Sequence, residues 1–506
     1  MASLTRVPSS LLISSGGDMS MAAFGELRTT SLEPQAQLKF VHDLTAHDEV
    51  MDIHAVATGA ASTTNAKLHL ITGATAQSSL RMESVRRAVY HPGQGIEAKF
   101  TALFDASTAE LNQAIGVGTV ENFAAFGSRG AYGDGSVLGI IHRSRGSVDL
   151  HTLTITVGTT GAGDVTITLN GVAHTVAVTI GTPTQSANEI AAGTYNDWYT
   201  YAIGATVIFV AKDVEVRNGA YSLVLATATG TVGGFVQDRA GDNAIFTTDE
   251  GNKTWNVDTM DGAGPSGVTI DPERLYVYAI TFGYLGAAPL RFFILTEKGF
   301  TLVHRIKWST ASPNTQILPT FTDASFPLFA SIENNADAVS YALESASMAV
   351  SIQGGTNHTI EVTNGHQVSV AIVTSTQVAI FSLRVKRAFK TALQSGIIRL
   401  LHLGGAVTGN NEVKVQVLRN ATIAGVPAWT ELSANSIVDF ADGALTQTTT
   451  GGTILATFTV SKWGNVSENL IEILSDISPG EVITFAAATA SGNSDVTLGC
   501  SWGEQP

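Results

Sequence analysis

Residues 255–272 read Trp-Asn-Val-Asp-Thr-Met-Asp-Gly-Ala-Gly-Pro-Ser-Gly-Val-Thr-Ile-Asp-Pro, a polar stretch that directly precedes the most apolar segments of the chain. Its glycines allow positive φ angles and its two prolines fix the chain direction, so we interpret it as a long shaped turn. The apolar runs that follow are residues 275–285, 291–295 and 300–306. Gly299 closes a short Glu-Lys-Gly loop and predicts a hairpin between the last two runs. A shaped loop before a series of buried strands is typical of a β-sandwich.

The composition agrees with a protein built from many short strands and turns. Of 506 residues, 50 are glycine, 44% are hydrophobic and only 14% are charged, whereas about a quarter are charged in an ordinary globular domain. Exposed helices would need more lysine and glutamate, and a disordered chain would be less apolar. The length predicts several domains. We therefore expect an all-β, multi-domain protein made of antiparallel β-sandwiches.

Charge and cysteine content exclude several classes of protein. The net charge is −15, so we expect no nucleic-acid partner, because such a partner requires a basic face. Two basic clusters, residues 81–87 and 384–390, are interpreted as strand flanks or as contacts with acidic neighbours. Cys500 is the only cysteine, which excludes an intrachain disulfide. No apolar run is long enough to span a bilayer, so we expect a soluble protein that is made in a reducing compartment.

Changes in composition and in strand pattern along the chain predict four segments. Residues 1–85 form an N-terminal arm and docking β region, and residues 86–356 form the main β-sandwich. Residues 148–240 form a β-rich module inserted in that sandwich, and residues 357–506 form a C-terminal β-sandwich. Surface loops tolerate such an insertion because the entropy of closing a loop rises slowly with its length.

The inserted module is marked by strands in which threonine and valine alternate. Asn170-Gly171 lies between two of these strands and predicts a tight hairpin. The segment from Ser186 to Ala192 is the one clear helix pattern in the module. We expect Ser186 to be its N-cap, with Glu189 completing a capping box.

Three aspartates flank the glycine-rich turn, namely Asp258, Asp261 and Asp271. Hard carboxylate oxygens beside flexible glycines suit a calcium loop, but their spacing does not match an EF-hand. The alternative is that each carboxylate accepts local backbone hydrogen bonds and stabilises the turn. We favour this alternative, and we predict neither a metal site nor a cofactor.

Aromatic residues in the module offer a different kind of candidate site. Trp198, Tyr199 and Tyr201 could stack on sugar rings, because aromatic faces supply broad apolar contact. Strand alternation places the two tyrosines on one face and Trp198 on the other. The alternative is that all three pack in the core of a small module, and we favour core packing.

The sequence contains little evidence of a catalytic site. The histidines are scattered without a metal-binding spacing, and no Gly-x-Ser-x-Gly nucleophile motif occurs. No pair of carboxylates flanks an obvious aromatic sugar platform, which leaves a glycosidase possible but unsupported. We therefore assign no catalytic residues and expect that the protein is not an enzyme.

The central turn also carries a resemblance to a protein family. Residues 255–271, Phe282-Gly283-Tyr284-Leu285-Gly286 and Arg291-Phe292 resemble virion structural proteins of large tailed phages and of algal and other giant viruses. Upstream, residues 86–95, Phe100-Thr101 and His142-Arg143-Ser144 resemble the same family in the same order. The last 120 residues are similar to the family's C-terminal β-domain. The resemblance implies a lectin-like or jelly-roll-like β-sandwich and a capsid or fibre role, and it supplies no catalytic residues.

These patterns together predict a viral structural protein on the virion surface, made in the host cytoplasm. It would be a capsid or vertex component or a head fibre and would act by oligomeric assembly and display, with a homotrimer favoured. Residues 1–85 would dock to other capsid or tail proteins. The alternative is a tail-associated protein that recognises glycans on the host surface. A glycan-degrading enzyme is a weaker third reading.

Overall fold

The computed structural model describes residues 31–44, 51–242, 246–283, 288–306, 321–336, 338–354, 362–373, 375–389, 392–394, 396–425, 427–443, 447–470 and 476–505. Residues 1–30 and 45–50 of the predicted N-terminal region, together with Tyr284, Leu285 and Gly286 of the family resemblance, lie outside these residues. Strands are the dominant secondary structure of the described residues, and every strand pairing is antiparallel. The predicted all-β, antiparallel fold is therefore confirmed.

The chain divides into two compact units, each made of two separate segments. Unit 1 consists of Met1–Gly146 and Ala244–Asn357, and unit 2 consists of Ser147–Asn243 and His358–Pro506. The chain thus leaves unit 1 at the start of the predicted module and returns to it just before the central turn. That the four predicted segments are separate domains stays a prediction.

The described residues of the first segment of unit 1 form nine strands: β1 (Leu32–Lys39), β2 (Met51–Val56), β3 (Ala60–Thr64), β4 (Lys67–Ile71), β5 (Ser78–Ala88), β6 (Gly95–Ala102), β7 (Leu111–Gly118), β8 (Phe123–Arg129) and β9 (Gly139–Ser144). The first segment of unit 2 follows with β10 (Leu150–Val157), β11 (Gly163–Leu169), β12 (Val172–Val178), helix α1 (Pro183–Ala191), β13 (Trp198–Ile203), β14 (Thr206–Ala211), β15 (Ser222–Leu225) and β16 (Val232–Arg239).

The second segment of unit 1 contains β17 (Phe246–Gly251), a 3-10 turn (Asn252–Thr254), β18 (Tyr276–Gly283), β19 (Leu290–Thr296), β20 (Gly299–Ile306), β21 (Phe326–Asn334), β22 (Ala342–Ser345) and β23 (Ser347–Gln353). The second segment of unit 2 contains β24 (Val362–Val373), β25 (Val378–Val385), β26 (Ala388–Phe389), β27 (Ala392–Leu393), β28 (Ile397–Gly409), β29 (Val413–Arg419), β30 (Thr422–Ile423), β31 (Thr430–Glu431), β32 (Val438–Asp442), β33 (Thr449–Thr450), β34 (Thr453–Val460), β35 (Asn465–Asn469), β36 (Val482–Thr489) and β37 (Ser494–Gln505).

Unit 1 is a sandwich of two large sheets. One sheet has the strand order β1-β23-β6-β18-β19-β20, and the other has the order β17-β9-β8-β7-β21-β5-β2. Its core is an aromatic cluster formed by Phe100, Phe126, Trp255, Tyr278 and Phe292. The Phe126 ring comes from the second sheet, and its centroid lies 4.8 Å from that of Tyr278 and 5.6 Å from that of Phe292, both from the first. These contacts join the two sheets through their inner faces.

The central turn anchors itself in this core at its first residue. Trp255 is 4% exposed, and its ring lies 6.1 Å from Phe126 in an edge-to-face arrangement. The indole Nε1 donates a hydrogen bond to the Glu250 carbonyl at 3.0 Å, so the polar atom is satisfied where the ring is buried. The core therefore fixes the position of the first residue of the turn.

Unit 2 contains two layered parts. The module forms a four-stranded sheet, β13-β14-β10-β16, and a three-stranded sheet, β12-β11-β15, with α1 packed against β10, β12, β13 and β14. Residues 362–505 form a six-stranded sheet, β31-β32-β25-β36-β29-β34, and a four-stranded sheet, β24-β37-β28-β35. Among the described residues, no helix is long and apolar enough to cross a membrane.

Both predicted hairpins are confirmed, whereas the predicted helix start is wrong. Asn170 and Gly171 have φ angles of 49° and 82° between β11 and β12, as a primed turn requires. Gly299 has a φ of 91° between β19 and β20. The N-cap of helix α1 is Thr182, four residues before the predicted N-cap Ser186, and its side chain accepts a hydrogen bond from the Gln185 N–H.

The Ser186 hydroxyl, predicted to be the N-cap, is used inside the module instead. It accepts a hydrogen bond from the Thr159 N–H at 3.1 Å and lies 2.9 Å from the Thr159 hydroxyl. Pro183 occupies the first position of the helix, where its missing N–H costs nothing. The same capping chemistry therefore occurs one turn earlier in the sequence.

Unit 1 should lose stability in acid through His142. This side chain is fully buried on β9, and burial lowers its pKa to about 3, whereas an unfolded histidine titrates near pH 6.5. Between those values only the unfolded state takes up the proton, so each pH unit of acidification should cost about 1.4 kcal/mol. Urea denaturation at pH 7, 6 and 5 should show this fall in the free energy of unfolding.

The variant His142→Phe provides the control, because it keeps a ring beside Phe321 at this position and removes the titrating nitrogen atoms. We expect it to lose less stability than the wild type between pH 7 and pH 5. His304, whose pKa burial lowers to about 4, should account for part of the remaining slope. A variant whose pH slope equals that of the wild type would contradict this assignment.

Candidate functional site

A cavity of about 310 Å³ lies within unit 2. We call it the arginine cavity and define it by six of its lining residues: Asn188, Tyr201, Arg384, Arg387, Trp429 and Gly480. The first two come from α1 and β13 of the module, and the other four come from residues 384–480. Its volume is at the lower end of the range for small-molecule sites, roughly 300–1,000 Å³.

Arg384 is the most constrained side chain of the arginine cavity. It is 9% exposed, and its Nη2 donates to the Ala202 carbonyl and to Asp439 Oδ2, each at 2.8 Å. The guanidinium carbon lies 4.3 Å from the centre of the Trp429 ring and 5.0 Å from that of Tyr201. Two aromatic faces and one carboxylate therefore fix this cation.

A second ion pair, between Lys386 and Glu431, lies beside Asp439. Lys386 donates to Glu431 at 2.6 Å and to the Ser436 carbonyl at 2.9 Å, and its Nζ lies 3.7 Å from Asp439. Burial raises the pKa of the Asp439 carboxyl, and the charges of Arg384 and Lys386 oppose that rise. Asp439 thus lies between two cations, which agrees with the predicted contact between the 384–390 cluster and acidic neighbours.

Arg387 is held more loosely, on the face of Tyr199. Its guanidinium carbon lies 4.2 Å from the centre of that ring. Gly480 leaves the space for it, since a Cβ at Gly480 would lie 2.5 Å from the same carbon atom. Gly480 also has a φ of 89°, which an L side chain adopts with strain. The positive φ is therefore the stronger reason for a glycine here, because the flexible end of the Arg387 side chain could shift away from a Cβ.

The structure separates the three aromatic residues that were predicted as sugar platforms. Tyr199 and Tyr201 both face the arginines, whereas Trp198 contacts Arg217, Tyr221 and His151 on the other face of β13. Trp198 and Tyr201 are 5% and 7% exposed. The Tyr201 hydroxyl donates to the Ala388 carbonyl at 3.2 Å. A role for the three residues in glycan binding stays a prediction.

Behind Trp198 lies a buried polar network around Asp149. This carboxylate is 0% exposed and accepts hydrogen bonds from Tyr221 at 2.7 Å and from Gln237 at 2.9 Å, and His151 Nε2 lies 3.1 Å from it. Burial alone would raise the pKa of Asp149, but these hydrogen bonds hold it below its usual value. The network ties β10 to β16.

The calcium candidate Asp258 has both carboxylate oxygens used by its own loop. Oδ1 accepts the Met260 N–H at 3.0 Å, and Oδ2 accepts the Ser266 N–H at 2.7 Å. The side chain is 2% exposed, so it shapes the inside of the turn. This arrangement agrees with the Asx-turn alternative.

The other two aspartates make similar local bonds. Asp261 accepts from the Thr259 hydroxyl at 2.6 Å and from the Ala263 N–H at 3.0 Å, and these bonds lower the pKa of its carboxyl. Asp271 pairs with Arg274 at 3.0 Å. Within the described part of the chain, no group of three or more His, Cys, Asp or Glu side chains is arranged to hold a metal ion.

The arginines and Trp429 are the site residues that sequence reasoning did not identify as such. The basic cluster itself was visible at residues 384–390, but only the spatial arrangement shows which of its members face an aromatic ring. Tryptophans are more often core or interface anchors than site residues, so the sequence alone does not single out Trp429. The nearest usable signal was the combination of Arg384 and Arg387 with an aromatic-rich strand, which are far apart in sequence.

Comparisons with known proteins identify no family for this chain. No family model and no curated protein matches it. A protein of unknown function from Shewanella oneidensis MR-1 has 9% identity and a TM-score of 0.27, with 70% of this chain and 97% of that chain covered. The CBM2 module of an evolved Dit protein of Lactobacillus casei BL23 phage J-1 has 8% identity and a TM-score of 0.29, with 65% and 99% covered.

A laminarinase from Flavobacterium sp. UMI-01 is matched at a similar level, with 10% identity and a TM-score of 0.27 over 63% of this chain and 100% of that chain. Similarity at this level identifies neither a fold family nor a function. The argument for a site therefore depends on the residues of the arginine cavity themselves.

Removing the carboxylate of Asp439 should destabilise unit 2 strongly. The variant Asp439→Asn leaves Arg384 buried without its counter-charge, and breaking a buried ion pair in this way costs about 3–5 kcal/mol. The matched control is Asp442→Asn on the same strand, where the carboxylate is 55% exposed beside His366. An exposed pair contributes about 1 kcal/mol or less. Chemical denaturation that gives equal losses for both variants would contradict the assigned role of Asp439.

Proposed function

We propose that this chain is a structural protein of a virion surface, either a capsid or vertex component or a head fibre, and that it acts by oligomeric assembly and display and not by catalysis. One observation carries the proposal. Three of the stretches that resemble virion structural proteins each contribute a ring to the contacts around Phe126. These rings are Phe100, Trp255 and Phe292, at 6.4, 6.1 and 5.6 Å from it.

This convergence supports the resemblance because the three stretches are far apart in sequence. Phe100 and Trp255 are separated by more than 150 residues, including the whole module. Unrelated similarities would have no reason to meet in one core. This part of the resemblance therefore concerns a single packed unit, and the role that the resemblance implies is carried over to this chain as a proposal.

The distribution of exposed apolar side chains favours assembly. Among the described residues, fourteen large hydrophobic side chains are exposed, and eight of them lie in the module between residues 147 and 243. Strand β16 is the edge of its sheet and presents Val232 and Val236 at 51% and 57% exposure. An exposed apolar edge strand is a template for pairing with another chain. We assign this edge to contact between copies, with a trimer favoured.

A charge on this edge should weaken the oligomer. We expect Val236→Lys to shift the chain to a lower oligomeric state, because lysine on an edge strand opposes strand pairing. The measurement is mass by light scattering after size-exclusion chromatography. Val339→Lys is the matched control, because Val339 has the same side chain and 56% exposure but lies outside the module.

The oligomer proposal is contradicted if the wild type is a monomer at high concentration, or if both lysine variants change the mass equally. Val236 is more than half exposed, so this substitution should leave the fold of the isolated chain intact. Circular dichroism spectra of the two variants should therefore be the same.

The position of the protein tests the virion role directly. Antibodies against the chain should label purified virus particles in electron microscopy. If the protein has the structural role, the label should lie on the shell or at a vertex. Label confined to the tail tip would support the receptor-binding alternative and would contradict the capsid assignment. Absence of the protein from washed particles would contradict both.

Recognition of host-surface glycans is the second candidate function, and the arginine cavity is the observation that favours it. The cavity combines aromatic rings, a buried amide and cationic donors, which is the mixture that fixes small polar ligands in proteins. The expected result is selective binding on a glycan array. An array on which no saccharide binds would contradict this second role and would leave the structural role untouched.

A further inference from the structure

The arginine cavity has an unusual electrostatic character for this protein. Of the described residues that line it, only Arg384 and Arg387 are charged, and both are cations. The whole chain carries a net charge of −15. A cation-lined recess in an acidic protein attracts anions locally and is poorly suited to cationic ligands.

Arg384 has donor capacity that the protein does not use. Its Nη2 is occupied by Ala202 and Asp439, but its Nε is buried without an acceptor among the described protein atoms. A buried donor without a partner is costly, and native proteins satisfy nearly all of them. Because the residue is 9% exposed and lines the cavity, an acceptor on a bound ligand would satisfy this nitrogen.

Arg387 supplies a second cation that is free to bind. Its guanidinium rests on Tyr199 and makes no hydrogen bond or ion pair with the described residues. It is only half-buried, so a ligand can reach it. Glu481, the nearby acid, is already paired with Arg419 at 2.9 Å. The charge of Arg387 is therefore not neutralised by a direct partner.

The aromatic rings hold the arginines and leave little open face for a sugar. Trp429 and Tyr201 are covered by Arg384, and Tyr199 is covered by Arg387. Stacking of a sugar ring is thus not the main recognition available here. Guanidinium groups bind planar oxyanions through two parallel hydrogen bonds, and the commonest such group on a saccharide is a carboxylate.

We propose that the arginine cavity binds the carboxylate of an acidic sugar unit, with Arg387 and Arg384 as the anion donors and the Asn188 amide facing the sugar hydroxyls. This inference rests on the proposed glycan-recognition role and names its ligand class. The small cavity volume suits one sugar unit and not a long oligosaccharide. Asn188 is 9% exposed and offers both a donor and an acceptor.

The test uses the full chain and three small probes: glucuronate, glucose and acetate. Titration calorimetry or ligand-observed NMR measures the dissociation constant of each. We expect glucuronate to bind at least about tenfold more tightly than glucose, because a hydrogen bond to a charged group is worth that factor or more. Acetate should bind more weakly than glucuronate, because it lacks the hydroxyl groups.

Variants of Arg387 then connect the binding to the cavity. Arg387→Gln should weaken glucuronate binding about tenfold or more, and Arg387→Lys should weaken it less, because lysine keeps the charge without the planar fork. Arg274→Gln is the matched control for loss of one positive charge, since Arg274 is 76% exposed in unit 1. It should leave binding unchanged, and melting curves should show that all three variants fold.

Each contrary result has a distinct meaning. Equal affinity for glucose and glucuronate would overturn the acidic-ligand inference and leave glycan recognition standing. Acetate binding as tightly as glucuronate would overturn the sugar part of the inference. Equal effects of Arg387→Gln and Arg274→Gln would overturn the assignment to this cavity. Binding of none of the three probes would overturn the inference, and a glycan array without any binding would then reject the recognition role as well.

Discussion

The contact of Phe126 with the opposite sheet is the interaction on which unit 1 depends. A sandwich is stable only if its two inner faces interlock, and this ring contacts the faces of both β18 and β19 from β8. Each large aromatic side chain removes about 150–250 Å² from water, so a cluster of five such rings contributes a large share of the core. The central turn depends on this cluster because its first residue, Trp255, belongs to it.

The side chains around the arginine cavity are held mainly by ion pairs and by cation–ring contacts, whereas the core of unit 1 is held by contacts between aromatic rings. Asp439 lies between Arg384 and Lys386, and the aromatic faces of Trp429 and Tyr201 cover the guanidinium. Such a buried pair adds little net stability but is costly to break. Its value to the protein is a fixed orientation of the cation, which is what a recognition site needs. These five residues therefore explain the rigidity of the recess, and Arg387 on the face of Tyr199 adds a positive charge to it.

Local features of the fold could be predicted from the sequence because they depend on a few neighbouring residues. Asn170-Gly171 and Gly299 specify turns by their own backbone preferences, and the alternating strands specify sheets by their period. The helix start was displaced because threonine, like serine, can cap, and Thr182-Pro183 is the stronger signal when the proline is counted. The arginine cavity could not be predicted, since Tyr199 and Arg387 are nearly 190 residues apart and only tertiary packing joins them.

The interleaved order of the two units has a consequence for synthesis. Unit 1 needs residues 244–357, so the ribosome must complete and pass the module before the first sandwich can close. The module's partner segment, from His358 onward, emerges only after the second segment of unit 1. During translation the apolar edges of the module are therefore present before the segment that completes their unit. Until that segment is made, the exposed edges of the module can pair with edges of other nascent chains. A chaperone would therefore protect this protein most during its synthesis.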